Sequence, residues 1–378
     1  MRPWMVAIAC LLPGIAVAAA PERIQTEKHS VSVTTIADGL KSPWGLALLP
    51  GGDILVTEKA GALRLLRQGR RPALNIAGVP QVIAKGQGGL LDVAAHPQFE
   101  GNRLLFLSYS AAAAPDDARI GTEVARARLD CTGTACRLVD LRVIFRQQPK
   151  FDTGFHFGSR LVFARDGSLF VTLGERGQQD LAQALDNHIG KVVRIDIDGK
   201  AVAGNAFIQR AGAMPEIFSY GHRNVQGAAL HPDTGELWAH EHGPQGGDEL
   251  NIVRGGRNYG WPVITFGRTY GKGEKIGEGT ERADVARAVR TWVPSVAPSG
   301  LAFYRGAAFP AWKGNLFMGT LREQRLIRLT VDGETVTAEE RIAGFGRIRS
   351  VAVDEAGRLY VLSESDGALY RLAPAAGR

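Results

Sequence analysis

Along most of the chain, apolar and polar residues alternate in short runs, and the runs come in pairs. A small residue opens each pair. An alternating apolar stretch follows, then a turn rich in Gly, Asp or Pro, then a second apolar stretch. The first copy reads Gly45-Leu-Ala-Leu-Leu-Pro-Gly-Gly-Asp-Ile-Leu-Val-Thr-Glu58. The pattern returns at 89–97 with 103–109, 159–172, 227–240, 300–304 with 314–320, and 350–362. Period-two alternation bounded by turn formers predicts antiparallel strand pairs. A further strand is predicted after several of them, at 63–66, 192–195, 326–329 and 369–372. Three to four strands per copy make one propeller blade, so six copies predict an all-β, six-bladed propeller with four-stranded antiparallel blades. Residues 31–35 predict the strand that closes the ring with the last blade. An open solenoid is the alternative that the repeat leaves. No Pro/Ser-rich linker divides the chain, so 21–378 reads as one domain. The copies are unevenly spaced, which implies insertions, and in such repeats insertions collect on one face.

Composition changes this picture little. Gly is abundant at 47, as many tight turns require. The ends matter more. Met1-Arg2 is a short basic start, residues 5–17 are apolar, and Ala16 to Ala20 supply small residues. That layout predicts a secretory leader at 1–20, cleaved after Ala19 or Ala20, and a periplasmic or secreted protein. No other segment approaches membrane-spanning length. Beyond Cys10 the cysteines are Cys131 and Cys136, and in an oxidising compartment they predict a local disulfide. The formal net charge is +7, to which Arg2 in the leader contributes one. The basic residues are scattered, so nucleic-acid binding is not predicted, whereas a basic pocket for an anionic cofactor stays open.

Polar residues concentrate beside the strands in a few places: Gly86-Gln-Gly-Gly89, Phe155-His-Phe-Gly-Ser-Arg160, residues 220–226, 241–249 and 258–262, Thr320-Leu-Arg322 and Arg347-Ile-Arg349. His156 is either a general base or the cap of a strand. No Gly-x-Ser-x-Gly elbow and no His-Glu-x-x-His motif occurs. Arg223, Arg322, Arg347 and Arg349 fall at corresponding points of different blades, where a ring brings them toward one axis. They are either solvated surface residues or a site for a multiply anionic ligand. Glycines in 241–249 allow carbonyls to turn inward as hard ligands, although a Gly-rich acidic loop is also an ordinary turn.

Four motifs carry a resemblance: Gly-Gln-Gly-Gly-Leu-Leu at 86–91, Gly-His-Arg-Asn-x-Gln-Gly at 221–227, Glu-His-Gly-Pro-x-Gly-Gly-Asp-Glu at 241–249 and Asn-Tyr-Gly-Trp-Pro at 258–262. With them the chain resembles the soluble quinoprotein aldose sugar dehydrogenases, relatives of soluble glucose dehydrogenase and of the sorbosone dehydrogenases. The resemblance implies a six-bladed propeller that binds pyrroloquinoline quinone (PQQ) and Ca2+ and oxidises aldose sugars at C1 to the lactone. It implies His156 as general base, with hydride passing to the quinone C5 and Ca2+ polarising that carbonyl. The carbonyls of Gly243 and Pro244 are the implied Ca2+ ligands. Arg223, with Asn224 beside it, would stabilise charge on the quinone oxygen. Gln87, Arg322, Arg347 and Arg349 would hold the cofactor, with Thr320, Leu321 and Ile348 in the same two loops and Tyr270 at its plane. A second Ca2+ would take Glu249 and the Tyr259 carbonyl. The implied partners are an aldose and an electron acceptor, either a cytochrome or a quinone. Two departures concern the sugar: Phe155 stands where soluble glucose dehydrogenase has Asp, and Arg322 where it has Lys. A Ca2+-dependent lactonase and a non-catalytic binding propeller are the competing readings.

Overall fold

The second strands of the blades, such as Ile54–Glu58 and Leu359–Ser363, are near-continuous apolar runs buried on both faces, so both faces must be covered. In the computed structural model, which describes residues 20–68, 73–133 and 135–376, neighbouring sheets cover each other in a ring. Nearly all of the predicted leader lies outside the described residues. Blade one is Pro43–Leu48, Ile54–Glu58, Ala62–Leu66 and Leu74–Ile76. Blade two is Leu90–Ala95, Leu104–Ala112, Ile120–Thr132 and Ala135–Arg146. Blade three is Leu161–Phe163, Leu169–Thr172, Lys191–Ile195 and Ile217–Tyr220. Blade four is Val225–Leu230, Leu237–Glu241, Asp248–Val253 and Arg290–Trp292. Blade five is Pro298–Phe303, Leu316–Thr320, Leu326–Asp332 and Thr335–Ile342. Blade six joins Ile348–Val353, Leu359–Ser363 and Ala368–Pro374 to the N-terminal strands Ser30–Ala37 and Arg23–Gln25. Each sheet is antiparallel, and the first five are four-stranded and ordered along the chain, whereas blade six has five strands, because the N-terminal pair adds to the last strand. The ring closes as predicted, with Val31 opposite Pro374 and Thr35 opposite Tyr370.

The apolar core is correspondingly divided among the joints between blades. Leu55 packs toward blade two with Leu90, Leu105 and Leu107, while its neighbours Ile54 and Val56 pack toward blade six with Tyr360 and Leu362. Phe106 likewise turns away from Leu105 and Leu107, to meet Leu161, Val171 and Val193 of blade three. A side-chain period of two thus assigns successive residues to opposite joints.

Near the axis the blades are too close for large side chains. A Cβ on Gly227 would come within 2.2 Å of the Ser299 carbonyl oxygen, and one on Gly300 within 2.5 Å of Ser350 Cα. This explains the small residue that opens each repeat. Hydroxyls then stitch the blades together. Thr57 Oγ1 donates to the Leu91 carbonyl, Ser108 Oγ to Ser159 (2.7 Å), Thr172 Oγ1 to Val225 (3.0 Å) and Ser299 Oγ to Ile348 (2.6 Å). The loops that follow the second strand of each blade, and those that enter the next blade, consequently meet at one end of the axis.

Candidate functional site

His156 lies in the loop entering blade three, and Glu175 follows that blade's second strand. His156 Nδ1 makes a very short hydrogen bond to Glu175 Oε1. A carboxylate acceptor at Nδ1 keeps the proton there and leaves the Nε2 lone pair free. Nε2 has no partner among the described residues, and the side chain is 16% exposed. The backbone is held as well. His156 N–H donates to Gln87 Oε1 (2.8 Å), and its φ of 53° is left-handed. Burial is the largest influence on the imidazole and lowers its pKa below the usual 6.5. The Glu175 hydrogen bond opposes this, while Arg223 and Arg176 reinforce it.

Beside this pair an axial cavity of about 190 Å³ is lined by residues of four blades and the loops between them, Gln87, Asn224, Leu321, Arg347 and Arg349 among them. Lys59, Gln226, His242 and Glu364 complete its polar wall. Glu364 Oε2 pairs with Arg349 (2.8 Å) and lies 3.6 Å from Arg347. Arg349 Nη1 donates to Gln226 Oε1 (3.2 Å), and Arg347 Nη1 to the Leu321 carbonyl (3.0 Å). One carboxylate therefore faces Lys59, Arg347 and Arg349. Burial holds the Lys59 ammonium below the ordinary lysine range, and the two arginines add to that against the pull of Glu364. The Nε atoms of Arg349 and Arg223 are buried without a partner.

Arg223 borders this wall. Its backbone N–H donates to Glu241 Oε2 (2.6 Å), and its Nη1 to the carbonyls of His242 (3.1 Å) and Gly243 (2.8 Å). Tyr270 Oη donates to the next carbonyl, that of Pro244 (2.9 Å). The two carbonyls expected to face Ca2+ thus already attract a guanidinium and a hydroxyl.

The remaining predicted residues spread further. Thr320 and Ile348 are buried and structural: Thr320 Oγ1 closes a turn on Arg325, and Ile348 packs in the joint between blades five and six. Tyr270 is 67% exposed. Arg322 lines a separate surface pocket with Arg290 and Arg341, not the axial cavity. Glu249 and Tyr259 lie on the flank of blade four, in a larger cleft of about 1090 Å³. There burial, then Glu241 and Asp248, push the Glu249 carboxyl up to about 8. The smaller axial cavity is lined by Gln87, Asn224, Arg347 and Arg349 and by Phe157 and Gly158, which follow His156 directly, so it is the candidate site.

Glu175, Lys59, His242 and Glu364 escape a reading of the sequence. All four follow the second strand of their blade, which is also the position of Arg322. Applying that shared position to every polar residue, and not to arginines alone, would have found them. Cys131 and Cys136 form the expected disulfide.

Comparison with known proteins fits this geometry. The family model described as glucose/sorbosone dehydrogenase matches residues 40–371. An aldose sugar dehydrogenase of Escherichia coli, YliI, is 44% identical over 351 residues, covering 91% of this chain and 93% of the relative. The apo crystal structure of soluble aldose sugar dehydrogenase from Escherichia coli superposes with a TM-score of 0.87 at 42% identity, covering 91% of this chain and all of that one. The PQQ-bound form of an aldose sugar dehydrogenase from Streptomyces coelicolor gives 0.76 at 30% identity, over 94% of this chain and 99% of that one.

Proposed function

We propose, from the premise that the chain belongs to the glucose/sorbosone dehydrogenase family of oxidoreductases, that it oxidises aldose sugars at C1 to the lactone with PQQ and Ca2+. The observation that carries this reading is the pairing of a carboxylate-held His156, its Nε2 free, with a cavity wall that carries the half-buried Lys59 and Arg347 and the buried Arg349.

The residues fit the groups. PQQ is a multiply charged anion. Lys59, Arg347 and Arg349 outnumber Glu364, and the buried Nε atoms of Arg349 and Arg223 lack acceptors. Burying such donors unpaired is costly, and an anion offsets that cost. Hard carbonyl oxygens at Gly243 and Pro244 suit Ca2+, and so does Glu249, whose carboxyl is crowded by other acids. When bound, PQQ supplies the two-electron acceptor and Ca2+ a Lewis acid for its carbonyl.

The chain itself supplies the proton chemistry. His156 Nε2 takes the proton from the sugar's anomeric hydroxyl. Glu175 keeps Nδ1 protonated, fixes the ring plane and stabilises the imidazolium that results. Gln87 ties the His156 backbone to the cavity wall. Arg223 places positive charge beside the Gly243 carbonyl, and its buried backbone amide is anchored on Glu241. The electron acceptor is a separate redox partner, a cytochrome or a quinone.

Purified protein reconstituted with PQQ and Ca2+ tests the reading. Sugar-dependent dye reduction that requires both additions, with a lactone as product, is expected across a panel of aldoses. No reduction with both present overturns it, and lactone hydrolysis with metal alone would replace it with the lactonase reading. We also propose export, on the leader at 1–20. An exported protein beginning at Ala20 or Pro21 is expected, and an N-terminus still at Met1 counts against it.

A further inference from the structure

Arg176 has no part in the chemistry above, yet it is fully buried. Among the described residues its guanidinium makes no ion pair. It donates instead to three backbone carbonyls, those of Phe155, Thr153 (2.6 Å) and Ile120 (3.2 Å). Its guanidinium carbon also lies 3.5 Å from the centroid of the Phe157 ring. Three of these contacts fall at positions 153, 155 and 157, on both sides of His156.

The segment needs such a clamp. His156 at φ 53° and Ser159 at φ 84° occupy the left-handed region, which side-chain-bearing residues avoid. Behind them there is no slack, because a Cβ on Gly174 would lie 1.9 Å from the His156 carbonyl oxygen. A buried charge held only by dipoles costs more than a neutral side chain of similar size. A joint that needed packing alone would be served better by such a neutral residue.

We infer that Arg176 is a positioning residue: it fixes the backbone of residues 153–157 and so aims the His156 imidazole at the cavity. This rests on the reading of His156 as the base. The same guanidinium acts electrostatically. The charged groups facing the imidazole are Glu175, Arg223 and Arg176, and of these the two arginines disfavour its protonation. The Lys85–Asp152 ion pair, which joins this loop to the one entering blade two, is exposed and screened.

Arg176→Lys keeps the charge without the planar fork, and Arg176→Met removes both. In the PQQ- and Ca2+-loaded enzyme both are expected to lose roughly 10- to 100-fold in kcat with little change in sugar KM. The acid limb of the rate profile should stay in place in Arg176→Lys and move to higher pH in Arg176→Met. An unchanged kcat per loaded site, whatever happens to Tm, overturns the proposal. So does an Arg176→Met limb that does not move. Should Arg176→Met fail to fold, kcat of Arg176→Lys decides. A second readout needs no activity: the pH midpoint for carbethoxylation of His156, followed on its peptide in the unloaded protein. It should rise in Arg176→Met and not in Arg176→Lys. If wild-type holoenzyme oxidises no sugar, the proposed function fails, and this midpoint still tests the clamp.

Discussion

His156 with Glu175 and His222 with Glu241 are the same pair built twice, on adjacent blades. Each histidine sits in the loop entering its blade, each glutamate lies at or just past the end of that blade's second strand, and each pair spans 19 positions through Nδ1 and Oε1. They end in different states. His222 is 1% exposed, its Nε2 accepts from Ser219 Oγ (2.8 Å), and its ring stacks on Tyr259 at 4.6 Å. Glu241 is fully used, because its second oxygen takes the Arg223 amide. His156 keeps Nε2 free beside the cavity. On the proposed function, what separates a base from a strut is the partner of the second nitrogen, not the His–Glu pair.

The sharpest way to break this contrast is to remove both rings. His156→Gln should lower kcat by about 10²- to 10⁴-fold while PQQ still binds, as loss of a general base does. His222→Gln should retain most of its turnover once loaded and show its loss in Tm. If the two variants lose kcat equally, the distinction collapses.

The carboxylates give a finer test. Burial lowers His156 below its ordinary 6.5, so the imidazole is neutral at pH 7, and if it is the proposed base, rate is expected to be lost only as pH falls through that lowered value. Glu175→Gln removes the hydrogen bond that favours protonation. Its acid limb should move to still lower pH, with kcat reduced about tenfold or more as orientation is lost. Glu241→Gln should leave the limb where it is and cost on the order of 1–3 kcal/mol of stability, because it loosens two buried donors. A rate profile of each variant, with a thermal melt beside it, separates the two outcomes.

The contrast also shows what the chain's pattern can convey. Strand pairs, the closing strand at 31–35 and the small residue at each repeat are local features, set by side-chain period and by crowding at the axis, and they are readable from a single line of residues. The motif at 241–249 is readable as a Gly-rich turn. Which of two histidines with equal spacing to a glutamate is poised is not readable from spacing alone: Ser219 lies only three residues before His222, but the Tyr259 ring that covers it comes from a separate segment, and nothing in the spacing shows that Nε2 of His156 stays free. Arg322 illustrates the reverse. It shares a blade position with residues of the cavity wall, yet its guanidinium turns to the Ser295 carbonyl (3.3 Å) on an outer pocket. Blade position fixes which end of the axis a loop reaches, and side-chain packing fixes where the side chain points.

Metal should act on the strut side as well as at the cavity. Glu249 is half-buried near Glu241 and Asp248, and its Oε2 accepts from Asn251 Nδ2 (3.3 Å). A divalent cation there would relieve like-charge crowding and raise stability by mass action. Added Ca2+ is therefore expected to raise Tm by a few degrees at neutral pH, and EDTA to reverse the gain. In Glu249→Gln most of that gain should vanish, whereas His156→Gln should keep it. A Ca2+ effect of equal size in both variants would move the stabilising metal away from blade four.

The smallest effect is expected farthest from the axis. Cys131 and Cys136 face each other across the hairpin of Ile120–Thr132 and Ala135–Arg146, at the outer edge of blade two. The loop they close is only a few residues long, so the unfolded chain loses little freedom, about 2 kcal/mol at most. The hairpin has its own ladder, and Arg67 Nη1 holds the turn through the Gly133 carbonyl (2.7 Å). Replacing both cysteines by serine should therefore lower Tm slightly and leave kcat and the acid limb unchanged. A loss of turnover in that variant would mean that the rim of blade two is coupled to the loop carrying His156, and the separation between axis and edge would have to be redrawn.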